Sequence, residues 1–354
     1  MSKVTIGLPC YNEAPFIEET LRSLMAQTEQ DLQIIVSDNA STDGTLEIIK
    51  SVAATDDRII VHSSKTNDGG PANFIRVLEL AQSPYFMWMG AHDLLAKDYV
   101  KKLRLVLDAD PSCSLAYANS IFIAKDGSDI RGERVDTGLD LSQDSAAERF
   151  KRLCWNLHRC DLFHGLMRRD WVDSAHMTSN RTPDMVLLAD LSLRGRFRHI
   201  PELMFYRRLN RVGEGEDVWQ KRLVEHGYVN ASQSMIESWT SSRAAYLALV
   251  DAAPLSKNEQ RLLRFAVYQS FLERHGVPWD SSQEGASWWD RLLMRLSTDD
   301  GVECIRRRIR HRIACQARVD GEYSRARLEW EVTGLLKENQ RLRKELTRLK
   351  TKKD

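Results

Sequence analysis

Three polar groups follow short apolar runs in this chain: Pro9-Cys10-Tyr11-Asn12-Glu13, Asp38-Asn39-Ala40-Ser41-Thr42-Asp43-Gly44-Thr45 and Gly90-Ala91-His92-Asp93. A carboxylate in such a place can accept hydrogen bonds from the base or ribose of a nucleotide, or serve as an oxygen ligand to a hard cation. An imidazole such as His92 suits Mn2+ better than Mg2+, and it can also donate a hydrogen bond to phosphate with no metal present. Asp38 and Asp43 have a plainer use as caps of turns and of the helix that follows. Asp184 follows Thr182-Pro183, a good helix start, where a carboxylate also complements the macrodipole. Arg207-Arg208 can pair with phosphate oxygens or stand as solvated surface charge.

Residues of this kind need elements to hold them. Apolar, β-prone runs predict strands at 4–8, 32–37, 58–63 and 85–89, and amphipathic spacing predicts helices at 14–27, 45–54 and 74–81. Strands alternating with helices at this spacing imply α/β architecture with a doubly wound, mostly parallel sheet. Ligands bind such sheets beyond the carboxyl ends of the strands. The loops after the first, second and fourth strands are therefore the candidate site. Farther on, β-like runs at 114–119 and 121–125 flank a turn at Asp126-Gly127, helices are expected at 145–158 and 185–194, and 197–208 is extended. The pattern assigns no element between 89 and 114.

The combination resembles the family-two glycosyltransferases, inverting enzymes of the GT-A fold. The likeness rests on P-x-Y-N-E at Pro9 to Glu13, D-x-x-S-x-D-G-T at Asp38 to Thr45, the Asn67-Asp68-Gly69 segment before a helix carrying Asn73, and the run Tyr85 to Leu95. It covers roughly residues 3–210. It implies that Asp38 binds the base or ribose of a nucleoside-diphosphate sugar, with Pro9, Tyr11, Glu13, Asn67, Asn73 and Ala91 around the donor. It also implies a divalent cation, Mn2+ or Mg2+, held by a D-x-D motif. Here that motif reads Gly90-Ala91-His92, with Asp93 next, so His92 and Asp93 are the candidate metal ligands. Asn210 stands where the family often has a further histidine. Arg207 and Arg208 are candidates to neutralise the leaving diphosphate. Inversion needs a base on the acceptor hydroxyl, and the resemblance puts Asp184 in that role, with His164 and Gly165 bordering the acceptor.

The expected domains are a glycosyltransferase domain over 1–212, a helical region over 213–320 and a coiled-coil helix with a basic tail over 321–354. Leu328, Leu335, Leu342 and Leu349 recur every seven residues, offset from Val332, Asn339 and Leu346. That is a two-stranded coiled-coil seam, which predicts a homodimer or a coiled-coil partner. The alternative is a helix packed on its own body. The 216–318 stretch reads as helical, with breaks near Pro254, Gly276-Pro278 and Gly301. Trp288-Trp289 and the arginines around Ile305 and Ile309 could lie on anionic lipid, or form an ordinary amphipathic face. Net charge is +1, which argues against a surface built for nucleic acid. Six cysteines without a CxxC pair read as reduced thiols. With no long apolar run, the chain is expected in the cytoplasm, at the inner face of the membrane where its acceptor is a lipid-linked glycan. The same motifs would also suit a non-catalytic relative that binds a nucleotide sugar and works as a coiled-coil scaffold. A dinucleotide oxidoreductase is excluded, since no G-x-G-x-x-G follows the first strand.

Overall fold

A computed structural model describes residues 2–135, 139, 141–157, 160–177, 182–208, 221, 223–229, 232, 234–275 and 277. They belong to one compact unit, Met1–Trp279. Asn210, the Trp288 helix and the 321–354 seam lie outside the described residues.

The chain opens with β1 (Val4–Cys10), α1 (Ile17–Met25), β2 (Leu32–Asp38), α2 (Thr45–Ala53), β3 (Ile59–Ser63), α3 (Gly70–Leu80) and β4 (Tyr85–Trp88). These are the predicted alternating elements, to within a few residues at most ends. Next come β5 (Leu94–Leu95) and α4 (Tyr99–Ala109), which the pattern above did not predict. The signal for α4 is present in Tyr99, Val100, Leu103 and Leu107, all buried on one face. The two β-like runs at 114–125 are one strand, β6 (Cys113–Ile123), returned by β7 (Asp129–Val135). Then follow α5 (Ala146–Asn156), a 3-10 turn (Asp161–His164), β8 (Leu166–Arg168), α6 (Pro183–Arg194), β9 (Arg196–Arg208), α7 (Met235–Ala252) and α8 (Lys257–His275).

Among the described residues the sheet has nine strands in the order β3-β2-β1-β4-β8-β6-β9-β5, with β7 on β6. The β3-β2-β1-β4 half is parallel. Beyond β4 the sheet is mixed: β8 is antiparallel to β4 and β6, β9 runs parallel to β6, and β5 runs antiparallel to β9.

Alternation along the strands divides the core between the two faces. Val4, Ile6, Leu8 and Met87 join Leu21 of α1 and Leu103 of α4 on one side. Phe86, Trp88 and Tyr117 join Val77 of α3, Phe150 of α5 and Tyr246 of α7 on the other. Trp88 stacks on Phe163 at 4.8 Å and 10°. The helical C-terminal part, where described, is thus packed into the same core as the sheet. The Tyr246 hydroxyl donates to the Met185 carbonyl at 3.1 Å, which anchors the start of α6. No helix of the described residues is long and apolar enough to cross a membrane.

Candidate active site

Parallel register sets the first part of the site. β1 and β2 end side by side at Cys10 and Asp38, so their loops leave the same rim. Asn12 has a left-handed backbone (φ 55°), which asparagine tolerates better than most residues. Its N–H donates to Ser41 Oγ at 2.9 Å, and its Oδ1 accepts the Thr42 N–H at 2.9 Å. The Glu13 N–H donates to Thr45 Oγ1 at 2.8 Å. Asp43 accepts the N–H groups of Ala14 and Thr45, both at 3.1 Å. Burial pushes the Asp43 pKa up, but the hydrogen bond from the Thr45 hydroxyl, with those from the two N–H groups, outweighs it and holds the carboxyl below its ordinary range. Asp43 therefore ties the loops together, the plainer of its two uses.

Asp38 is fully buried. Its Oδ2 accepts the Ser41 N–H at 3.1 Å, while Oδ1 has no hydrogen-bond partner. An unmet buried acceptor is costly unless a ligand supplies a donor. Pro9 and Tyr11 are half-buried beside it. Asn67 Oδ1 accepts from Asn39 Nδ2 at 2.7 Å and from the Gly69 N–H at 2.9 Å. Asn73 lies beneath the rim, where its Nδ2 donates to the carbonyls of Ser37 (3.0 Å) and Cys10 (3.3 Å) and clamps the two strand ends.

The second part forms where β4 and β9 end. β5 pairs Leu94 with Tyr206, which brings Asp93 against Arg207 and Arg208. Asp93 is 2 % exposed, and its Oδ1 accepts the Arg208 main-chain N–H at 2.8 Å. A Cβ on Gly90 would come within 2.6 Å of Asp93 Oδ2, so the Asp93 carboxylate occupies the space a side chain at 90 would need. His92 is 32 % exposed, and its Nδ1 lies 3.1 Å from Glu13 Oε1. Burial disfavours the imidazolium, but the Glu13 hydrogen bond and the nearby Asp93 carboxylate raise the His92 pKa above its ordinary value. Ala91 is buried.

The two arginines differ. The Arg208 side chain is 1 % exposed. Its guanidinium donates to the carbonyls of His92 (2.9 Å), Lys125 (2.5 Å) and Ala124 (3.3 Å), and to Glu19 at 2.5 Å. That leaves it holding the 90–93 turn against the β6–β7 hairpin and α1. The Arg207 side chain is 36 % exposed and donates through Nη1 to Asp161 at 2.5 Å. Burial opposes its charge, yet the Asp161 and Asp93 carboxylates more than compensate and raise its pKa.

The third part lies where α6 begins. Asp184 is half-buried, in the first turn of α6. Together with burial, its carboxylate pushes the Cys160 thiol and the Tyr228 hydroxyl upward. Cys160 in turn feels Arg207 and Asp161, so Asp184 and Arg207 flank the same thiol. His164 Nδ1 donates to the Trp88 carbonyl at 3.1 Å, and its ring stacks on Phe205 at 5.1 Å. Burial lowers its pKa below the ordinary imidazole value. Gly165 is packed so tightly that a Cβ would meet the Ala116 carbonyl at 2.6 Å. His164 and Gly165 thus sit under this part of the rim.

Asp161 and Tyr228 join the site without any forewarning from the sequence. Asp161 is marked by its pairing with Arg207, 46 residues away. Tyr228 lies over the start of α3, where a Cβ on Gly70 would come within 2.7 Å of its ring and the Gly70 N–H donates to the His226 carbonyl at 2.9 Å.

Residues 5–174 match the family model described as Glycosyl transferase family 2. The chain carries a family 2 glycosyltransferase domain. Among curated relatives of this domain, a putative teichuronic acid biosynthesis glycosyltransferase of Bacillus subtilis, TuaG, is 31% identical over 35% of this chain and 49% of its own. The abequosyltransferase RfbV of Salmonella typhimurium is 36% identical over 39% of this chain and 38% of its own. The match thus spans less than half the length of both relatives. In fold, the chain is similar to S. aureus TarS 1-349, with a TM-score of 0.59 at 14% identity, covering 86% of this chain and 82% of that one. It is also similar to the mannosyltransferase PcManGT from Pyrobaculum calidifontis, in complex with GDP-Man and Mn2+, with a TM-score of 0.50 at 15% identity over 94% of this chain and 80% of that one. The likeness extends the GT-A α/β fold beyond residue 174, to the parts that carry Asp184 and Arg207.

Among the described residues, the D-x-D position of this family 2 domain offers a divalent cation few ligands. A hard cation needs several accessible oxygen ligands. Position 90 has no side chain, and the Asp93 carboxylate is 2 % exposed and already accepts a main-chain N–H. The Nδ1 of His92 faces Glu13, which leaves Nε2 as its one possible ligand atom.

Proposed function

We propose that this chain is an inverting glycosyltransferase. It moves a sugar from a nucleoside-diphosphate donor to a glycan or lipid-linked acceptor in polysaccharide assembly, on the cytoplasmic side of the membrane. The observation that carries the reading is the gathering of polar groups from distant segments at one rim of the sheet: Glu13, Asp38, His92, Arg207 and the start of α6. Asp38 Oδ1, without a protein partner, accepts from the base or ribose. The Asp184 carboxylate takes the proton of the acceptor hydroxyl as that oxygen bonds to the anomeric carbon. The bond from that carbon to the diphosphate oxygen breaks, and its electron pair leaves with the nucleotide. Positive charge at the rim stabilises the departing group. The names of the relatives support the polysaccharide setting, and the structure of TarS 1-349 in complex with UDP-GlcNAc supports the donor class.

The test is donor turnover with UDP-, GDP- and dTDP-sugars, followed as release of the nucleoside diphosphate. Asp184→Asn should lower the rate by about 10²–10⁴-fold, the usual contribution of a general base. Its loss of stability should stay within about 1 kcal/mol, the scale of a first-turn carboxylate in the helix dipole. A variant as fast as wild type would remove Asp184 from the base role.

A further inference from the structure

The two arginines that end β9 face different tasks, and the difference bears on how the diphosphate is held. Arg208 has every guanidinium nitrogen engaged by main-chain carbonyls or Glu19, and its side chain is 1 % exposed. Among the described residues Arg207 is tethered through Nη1, to Asp161 at 2.5 Å, and it is 36 % exposed. A guanidinium carries five N–H donors in a planar fork, so most of the Arg207 fork has no acceptor among the described residues. That fork stands beside Asp93, at the turn where this fold would otherwise hold a cation, and on the same thiol as Asp184. The carboxylates at that turn are each engaged through one oxygen within the protein. Asp93 accepts the Arg208 N–H, Gly90 offers no ligand, and Glu13 meets His92. Planar guanidinium–phosphate pairing is bidentate and charge-assisted, and it needs no metal bridge.

We propose that Arg207, aimed by Asp161, takes the place of a divalent cation at the donor diphosphate, so that donor binding and transfer are independent of metal. This rests on the nucleotide-sugar reading above and adds the identity of the group that neutralises the leaving phosphates. Arg208 acts only through the turn it holds.

The experiment is isothermal titration of the full chain with UDP, GDP and dTDP, first in excess EDTA and then in excess MnCl2 or MgCl2. For whichever nucleotide binds best, the Kd should agree within about threefold between the two conditions, a difference well under 1.4 kcal/mol. Donor turnover should likewise survive chelation. Arg207→Gln should weaken that nucleoside diphosphate by about tenfold or more, equivalent to about 1.4 kcal/mol, and leave the parent nucleoside within about twofold. Asp161→Asn, which keeps the fork but loosens its aim, should give a smaller loss of the same kind. Binding or turnover that collapses in EDTA and returns with Mn2+ would overturn the metal-free inference while leaving the transferase reading intact. Wild-type diphosphate affinity in folded Arg207→Gln would remove Arg207 from the role. If no nucleotide binds under either condition, the transferase reading and this inference both fall.

Discussion

At the rim above β1 and β2, the polar side chains pair between loops only one or two elements apart. The Asn12–Ser41, Glu13–Thr45 and Asn39–Asn67 bonds join residues 29, 32 and 28 apart. At the rim above β4 and β9 the partners are distant. His92 meets Glu13 across 79 residues, Asp93 meets Arg208 across 115, and Arg208 meets Glu19 across 189. In the first region a residue's work follows from its local motif. In the second, two adjacent arginines do different work because the strand directs one inward and leaves the other half-exposed.

Substitutions can break or sharpen this contrast. The largest effect on stability is expected from Arg208→Met, which strands the His92, Ala124 and Lys125 carbonyls and frees the 90–93 turn. The cost should be about 3 kcal/mol in chemical denaturation, from several unmet buried acceptors, with Arg207→Gln costing less, about 1–2 kcal/mol, since the amide still donates to the buried Asp161 carboxylate. Equal costs would erase the distinction between the two arginines. Asn73→Leu removes the clamp between the ends of β1 and β2. It should cost about 2 kcal/mol by leaving the Ser37 and Cys10 carbonyls unmet, and a neutral result would mean that register alone holds that rim. Gly90→Ala must displace the Asp93 carboxylate, at an expected cost of about 1 kcal/mol, at the low end for overpacking. A silent substitution there would show that the turn has room for a longer side chain.

The smallest effect is expected from Asp110, at the far end of the β6–β9 pair. The Ser112 and Arg198 hydrogen bonds lower its pKa from 3.8 to about 2. A depressed carboxyl pKa stabilises the fold when the group is ionised, so the contribution is full above about pH 4 and fades as pH falls toward 2. Arg198 is 40 % exposed, so solvent screening limits the gain to at most about 1 kcal/mol. Wild-type and Asp110→Asn stability curves should differ at pH 7 and converge by pH 2. Parallel curves would show that the pair is inert.

Much of the parallel half was legible. Period-two and period-3.6 patterns named β1 to β4 and α1 to α3, because each buries a face that its own residues define. Asp43 was legible as a turn residue for the same reason, although the helix N-cap is Gly44. β5 was not, since a two-residue strand has no period, and its pairing with β9 decides everything Asp93 does. α4 carried a readable stripe that the strand-centred pattern passed over. The D-x-D departure at Gly90 and His92 was visible as letters, but its meaning was not. It took the buried Asp93 carboxylate lying against Gly90 to show that the position is filled from within.

By itself the sequence determined the alternation of strands and helices, the rim on which polar loops gather, and the family whose motifs those loops carry. Such features depend on neighbours within one or two elements, where spacing and side-chain type are enough. Only the tertiary structure decided that Arg208 is a brace and Arg207 an open fork, that Asp161 and Tyr228 belong to the site, and that α7 steadies the start of α6 beside Asp184. Those roles arise from burial and pairing between segments tens to hundreds of residues apart, which no local pattern encodes.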